Sequence, residues 1–364
     1  MDTFHECFGD LIDPRADNAR HELVEIVFIA LLATLCGATC CSEMEEFGLA
    51  KEALLRSLLT LEHGIPSHDT FSRVFRLLDP KAFEAAFSRF MQAFGIAAKI
   101  GKTKGVVAVD GKSLRRAYDV GKSHMPRMMV SVWAAQTRMT LATVLAANND
   151  ETQAALDAIA LVALKGCIVT ADALHCHAAM AKLVIDKGGD YVLAVKANQP
   201  SLLADAKAAL AMLPDHTAPA TTQDARHGRA ESRTALVTSA KAMAQKHGFP
   251  GLAAVAKITS RRGEDQAVER FFLLSRPYKA EAFLAIRREH WGIENTLHWT
   301  LDVVLDEDLA RNRKDNGPAN LAVLRRLALN IARAHPDKKT SMRLKLKRAG
   351  WDEGFLFDLI RHMR

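Results

Sequence analysis

The stretch "REHWGIENTLHWTLDVVLDED" (288–308) sets one glutamate, Glu294, between two His-Trp pairs, His290-Trp291 and His298-Trp299. A carboxylate among aromatic and apolar neighbours is costly unless a counter-charge meets it. Helical spacing puts His290, Glu294 and His298 on one face, while Ile293, Leu297 and Leu301 can pack that helix down. Two more acids stand out upstream: Asp110 closes the apolar run "GVVAVD" and Asp172 closes "GCIVTAD". Brought together, such carboxylates repel, and one pKa rises unless a divalent cation sits between them. Mg2+ suits that position, because it takes a few carboxylates, keeps several waters and draws its other ligands from phosphate. The alternative is a zinc site of His290, Glu294 and His298. The familiar zinc helix places its two histidines one turn apart, whereas these are two turns apart.

The elements that must position these residues follow from pattern. "GVVAVDGKSL", "RMMVSVWAAQ" and "MTLATVLAAN" are three β-type runs, and "TQAALDAIALVAL" is a helix capped by Asp150 or Thr152. "GCIVTADAL" is a fourth strand, "HAAMAKLVIDKG" a helix closed by glycine, and "DYVLAVKAN" a fifth strand. Three hairpin-linked strands followed by alternating βα units describe an α/β fold with a ribonuclease-H-like mixed sheet. In that sheet the first and fourth strands are neighbours, so Asp110 and Asp172 are expected at one edge, with Glu294 pointing to it. Lys112, Arg115 and Arg116 follow Asp110, and Lys196, Asn198 and Gln199 leave the fifth strand at the same edge. All six are candidates to hold phosphates.

Before the sheet, residues 1–97 read as a helical N-terminal domain. In "GIPSHDTFSRVFRLLDP", Ser67 is the expected N-cap, and Phe71, Val74, Phe75 and Leu78 form one apolar stripe. Arg73 and Arg76 are left on the free face, an arrangement suited to a helix reading a DNA major groove as well as to an ordinary packed helix. Residues 98–199 are the first part of the core and 200–276 a strand-rich insertion. Residues 277–364 complete the core with the Glu294 helix and a basic helical C-terminus.

The bulk numbers agree with a multi-domain globular chain: 364 residues, 49% hydrophobic and 25% charged. The formal charge is +7, and residues 311–364 hold fourteen Lys and Arg against five Asp and Glu. A positive field gathered at one end suits a polyanionic partner. The six cysteines make no disulfide ladder, and the apolar run 26–41 is too short for a bilayer. A cytoplasmic, nucleoid-associated protein without a membrane partner is expected.

"DPRADNARHEL", "GIPSHDTFSRVFRLLDP", "VVAVDGKSLRRA", "VTADALHCH", "GDYVLAVKANQP" and "REHWGIENTLHWTLDVVLDEDLARNR" resemble the insertion-sequence transposases of the H-repeat-associated type. The resemblance spans nearly the whole chain. It implies a DDE enzyme whose acidic triad is Asp110, Asp172 and Glu294, using Mg2+, with Mn2+ expected to substitute. It further implies two-metal cutting of element ends and joining of the 3′-OH to target DNA, by a homodimer on double-stranded DNA. Related enzymes often carry Tyr, Arg and Lys at −7, −4 and +7 from the glutamate, where this chain has Arg287, His290 and Leu301. His290 is the expected replacement for the arginine as phosphate ligand, and His298 is grouped with it on the DNA side. The insertion lacks the tryptophan that some relatives use to hold a flipped base during hairpin formation, since the four tryptophans are 133, 291, 299 and 351. Rival functions are a Mg2+-dependent nuclease that does not join, and a transposase-derived DNA-binding protein.

Overall fold

The computed structural model describes residues 2–17, 19–97, 105–118, 125–214, 217–226, 229–263 and 265–361. The expected boundary after residue 97 adjoins residues 98–104, which lie outside the described ones.

Among the described residues nine strands form one mixed sheet: β1 Val106–Tyr118, β2 Pro126–Ala134, β3 Met139–Leu145, β4 Ile168–Ala171, β5 Asp190–Val195, β6 Ala220–Arg226, β7 Arg229–Ser239, β8 Ala254–Arg262 and β9 Val268–Leu274. Their order is β3-β2-β1-β4-β5-β9-β8-β7-β6. β1, β2 and β3 are antiparallel neighbours, while β4 and β5 run parallel to β1. That arrangement is the ribonuclease-H-like sheet. Val106 to Val109 are all buried, as expected for a strand covered on both faces.

One expectation about the sheet needs correction. β1 does not end at Asp110-Gly111 but continues to Tyr118, because β2 goes on pairing with it through Lys112↔Met129 and Ser113↔Met128. The strand-rich insertion joins this sheet. β9 pairs antiparallel with β5 (Val192↔Leu274 to Val195↔Phe271), so β6 to β9 extend the core sheet. β6 went unread in the sequence because "ATTQDAR" is a polar edge strand without apolar alternation.

The helical N-terminal segment is present, but it does not own its core. The helix Leu23–Leu35 is buried almost all round. So is Gly317–Ala334, which needs partners on both faces. One hydrophobic cluster therefore runs from Phe4 through Phe71, Phe75 and Leu297 to Leu324 and Ile360. Polar contacts pin the seam. The Asn330 side chain pairs with both backbone groups of Thr140 on edge strand β3, accepting at 2.9 Å and donating at 2.7 Å. Glu84 accepts from the backbone N–H of Leu145 at 2.8 Å, and burial pushes its carboxyl up to about 8.

The same helix packing takes part of the basic C-terminus into the interior. Arg325, Arg326, Arg333 and Lys345 are buried. Each donates to an interior acceptor; Lys345, for example, donates to the carbonyl of Ala332 at 3.1 Å. Among the described residues no helix is long and apolar enough to cross a membrane.

Candidate active site

The parallel ladder between β1 and β4 runs Val106↔Ile168 to Val109↔Ala171. Asp110 and Asp172 are the next residue on each strand, so they leave the ladder side by side. Asp172 is extended (φ −75, ψ 172) and opens the tight turn Ala173–His175. Asn198 and Gln199 hold that turn from the end of β5. Asn198 Nδ2 donates to the carbonyl of Ala173 at 2.9 Å, and Gln199 Nε2 to that of Cys176 at 3.1 Å. Expected at the DNA, these two amides instead brace the turn after Asp172.

Glu294 does not sit on the straight α-helix that the spacing suggests. The helix Ala280–His290 gives way to a π-turn over Ile293–His298 before Trp299–Val303 resumes. Such insertions occur mostly as single turns and often at functional sites. The carbonyl of Thr296 within it accepts from Arg333 Nη2 at 3.2 Å and from the Thr300 hydroxyl. Gly292 at the entry is required by contact, since a Cβ there would lie 2.5 Å from the Trp133 ring. Ile293, Leu297 and Leu301 are fully buried, as the stripe predicted. Glu294 itself stays exposed. Burial and then the Asp172 charge raise its carboxyl, while Arg287 opposes.

The flanking histidines each take one aspartate. His290 is 2% exposed and its Nδ1 lies 2.9 Å from Thr170 Oγ1, with Nε2 3.6 Å from Asp172 Oδ1. His298 Nδ1 lies 3.7 Å from Asp110 Oδ2. Both are thus turned inward rather than presented to phosphate. The zinc trio is also not assembled, because the two imidazoles serve different acids.

Electrostatically the aspartates differ. His290 beside Asp172 holds its carboxyl down to about 2 against burial, with Arg287 and Lys196 helping. Asp110 is pushed up to about 7, first by burial and then by the charges of Asp172 and Glu294. Burial, with Arg326 and Lys112 nearby, pushes His298 down to about 3, so it stays neutral beside Asp110.

Lys112 is 7% exposed, and this corrects its expected role. Its Nζ meets Asp302 Oδ1 and Asp308 Oδ1, both at 2.8 Å, and Glu307 Oε2 at 3.7 Å. Glu307 is itself paired at 2.9 Å with the buried Arg326, which also donates to Ser131 Oγ at 3.1 Å. The ammonium thus latches the strand carrying Asp110 to the segment following Glu294. Arg115 is exposed but pairs with Asp308 at 3.1 Å. Arg116 stands exposed on the irregular end of β1, with φ +71.

On the other side of the carboxylates a cleft of about 560 Å³ opens, lined in part by Asp172, Lys196, Lys207, Arg270, Arg287 and Glu294. Arg287 is nearly buried, lies over the Phe272 ring at 4.7 Å, and leaves Nη1 without a hydrogen-bond partner. Of these cations the sequence singled out Lys196 as a phosphate-holding candidate. Lys207, on the helix Pro200–Ala211 after β5, and Arg270, carried to this edge by the β5–β9 pairing, belong to the insertion and carry no local signal.

In the N-terminal segment, Ser67 Oγ caps the helix His68–Leu77 by accepting from Thr70 N at 3.4 Å. Phe71, Val74 and Phe75 are buried and Arg73 is exposed, as the stripe predicted. Arg76 is engaged with Asp315 at 2.7 Å.

The hard oxygen donors Asp110, Asp172 and Glu294 repel one another across this edge, as their raised or defended pKa values require. Among the described residues no three His, Cys, Asp or Glu side chains are gathered as a metal cage. An open set fits Mg2+ better than a closed one would, since Mg2+ is usually held by one or two carboxylates plus waters and substrate phosphate.

Comparison with known proteins gives a consistent result. The Transposase DDE domain family matches residues 101–331, and the DDE_Tnp_1-associated family matches residues 5–91. The chain is 31% identical to "Putative transposase YncI" of Escherichia coli O157:H7, over 94% of this chain and 90% of that protein. It is 29% identical to "H repeat-associated putative transposase YhhI" of Escherichia coli K12, over 94% and 93%. A piggyBac transposase synaptic complex with hairpin DNA aligns with TM-score 0.44 and 14% identity, covering 100% of this chain and 77% of that one. The chain belongs to the DDE transposases, among those of the H-repeat-associated type.

Proposed function

We propose that this transposase cuts the ends of its insertion sequence and joins the freed 3′-OH ends to target DNA at Asp110, Asp172 and Glu294, with Mg2+ as cofactor and Mn2+ able to replace it. The observation that carries this reading is the in-register exit of β1 and β4, which sets Asp110 beside Asp172. Glu294 faces the same edge closely enough to raise the Asp110 pKa. These three carboxylates would hold the ions. When bound, a pair of divalent ions activates the attacking oxygen and offsets charge on the phosphate. Water first breaks a phosphodiester to leave a 3′-OH. That hydroxyl then attacks a target phosphate and displaces the target's own 3′ oxygen. One site serves both steps because each is an in-line displacement at phosphorus.

The chain's own residues prepare that chemistry. His290 keeps Asp172 ionised and oriented, and the Thr170 hydroxyl fixes the ring. Lys196, Lys207, Arg270 and Arg287 give the cleft a cationic wall on which the strand next to the scissile phosphate can lie. Arg73 and Arg116 are the exposed candidates for duplex phosphates. Two ends joined in concert call for a homodimer, working on chromosomal DNA in a bacterial cytoplasm.

The test is strand transfer of a labelled element end in Mg2+ with Asp110→Asn, Asp172→Asn and Glu294→Gln made singly. Each is expected to lower cutting and joining by about 10²-fold or more. Near-wild-type joining by any one of them removes that residue from the site. Cutting without joining in the wild type favours the nuclease reading, and binding without cutting favours a DNA-binding protein.

A further inference from the structure

Glu151 and His175 have been given no role so far, yet they touch the segments that carry both aspartates. Glu151 opens the helix Glu151–Ala160, and Asp150 caps that helix by accepting from Gln153 N at 2.9 Å. The turn before it puts two successive asparagines in the left-handed region, Asn148 (φ 53) and Asn149 (φ 58). Asparagine tolerates that region better than most side chains. This sharp entry turns Glu151 back onto β1. A Cβ built on Gly111 would lie 2.4 Å from Glu151 Oε1. Only a glycine beside Asp110 lets the carboxylate come so close. The same Oε1 lies 3.3 Å from Nε2 of His175, whose side chain is 1% exposed. His175 is three residues past Asp172, in the turn that Asn198 and Gln199 brace.

We infer that Glu151 and His175 are a positioning pair that ties the Asp110 end of β1 to the turn after Asp172, and so sets the spacing of the two aspartates. Beyond Ala171, β4 no longer pairs with β1, so the ladder stops supporting that spacing where it matters. The pair bridges the gap from outside the ladder. Gly111 is the third part of the device, because its missing side chain is the seat of the Glu151 carboxylate. The inference rests on the reading of Asp110 and Asp172 as the ion-holding acids.

The test is Mn2+ binding to the full chain, followed by electron paramagnetic resonance and paired with the thermal midpoint. Glu151→Ala is expected to weaken Mn2+ binding about tenfold, as loss of a residue supporting metal ligands typically does. Glu151→Gln, which keeps the shape and an oxygen toward His175, should recover most of that loss. Gly111→Ala should weaken binding in the wild type and far less in the Glu151→Ala background, since one change crowds and the other removes the same carboxylate. Gly111→Ala and Glu151→Gln keep the test sound should Glu151→Ala fail to fold.

Unchanged Mn2+ affinity in Glu151→Ala overturns the inference. So does Glu151→Gln as weak as Glu151→Ala, which would make Glu151 a direct ligand, and so does full additivity of Gly111→Ala with Glu151→Ala. Failure of the underlying reading looks different: Asp172→Asn would then bind Mn2+ as the wild type does.

Discussion

Two groups of basic residues flank the carboxylates, and they have opposite surroundings. Behind Asp110, Lys112 and Arg326 are buried, and Asp302, Glu307 and Asp308 meet their charges. Beside Asp172 and Glu294, Lys196, Lys207, Arg270 and Arg287 line an open cleft. The first cluster is closed and structural. The second opens onto the place where a nucleic acid strand would lie. A basic residue near a catalytic acid in sequence is therefore no guide to phosphate contact. What decides is whether acids of the same chain have already claimed its charge.

The difference can be broken by mutation, and the largest effect is expected on the closed side. Arg326→Leu strands the buried Glu307 and should cost about 3–5 kcal/mol of stability. Denaturant unfolding measures this, and a loss below about 1 kcal/mol would show that the network does not hold the fold. On the open side the effect should fall on DNA and leave stability alone. Lys196→Ala and Arg270→Ala are each expected to reduce the slope of log affinity against log salt by about 0.7–0.9, with an unchanged thermal midpoint. If the slope stays the same, the cleft wall is not a phosphate path. The smallest and sharpest contrast lies on the helix His68–Leu77. Arg73→Ala should weaken binding to the element's end several-fold. Arg76→Ala, whose guanidinium already pairs with Asp315, should change it much less. Equal losses in end-binding titrations would mean that Arg76 leaves Asp315 for DNA.

Much of the sheet was legible because its strands are apolar runs bounded by turn residues, and hairpin-plus-βα order leaves few topologies. That order alone sets Asp110 and Asp172 on neighbouring strands. The sequence is silent where pattern carries no signal. The π-turn at Glu294 arises from Gly292 against Trp133 and from Arg333 meeting the carbonyl of Thr296, contacts between residues far apart in the chain. Asn198, Gln199, His290 and His298 were placed on the DNA side because polar residues near an acid look like ligands. In the fold they face backbone carbonyls, a threonine and the aspartates. Glu151 drew no notice, because nothing local distinguishes a first-turn glutamate pressed against a glycine from an ordinary helix start.

The sequence by itself determined the residue types, the order of strands and helices, and hence the sheet edge at which the acids can meet. These follow from local periodicity and chain connectivity, which act over a few residues at a time. Only the tertiary structure decided which charges are spent internally and which stay free, and that the N-terminal helices share a core with Gly317–Ala334. Electrostatic pairing and burial depend on distances between segments hundreds of residues apart, such as Lys112 and Asp308, and no short-range pattern encodes them.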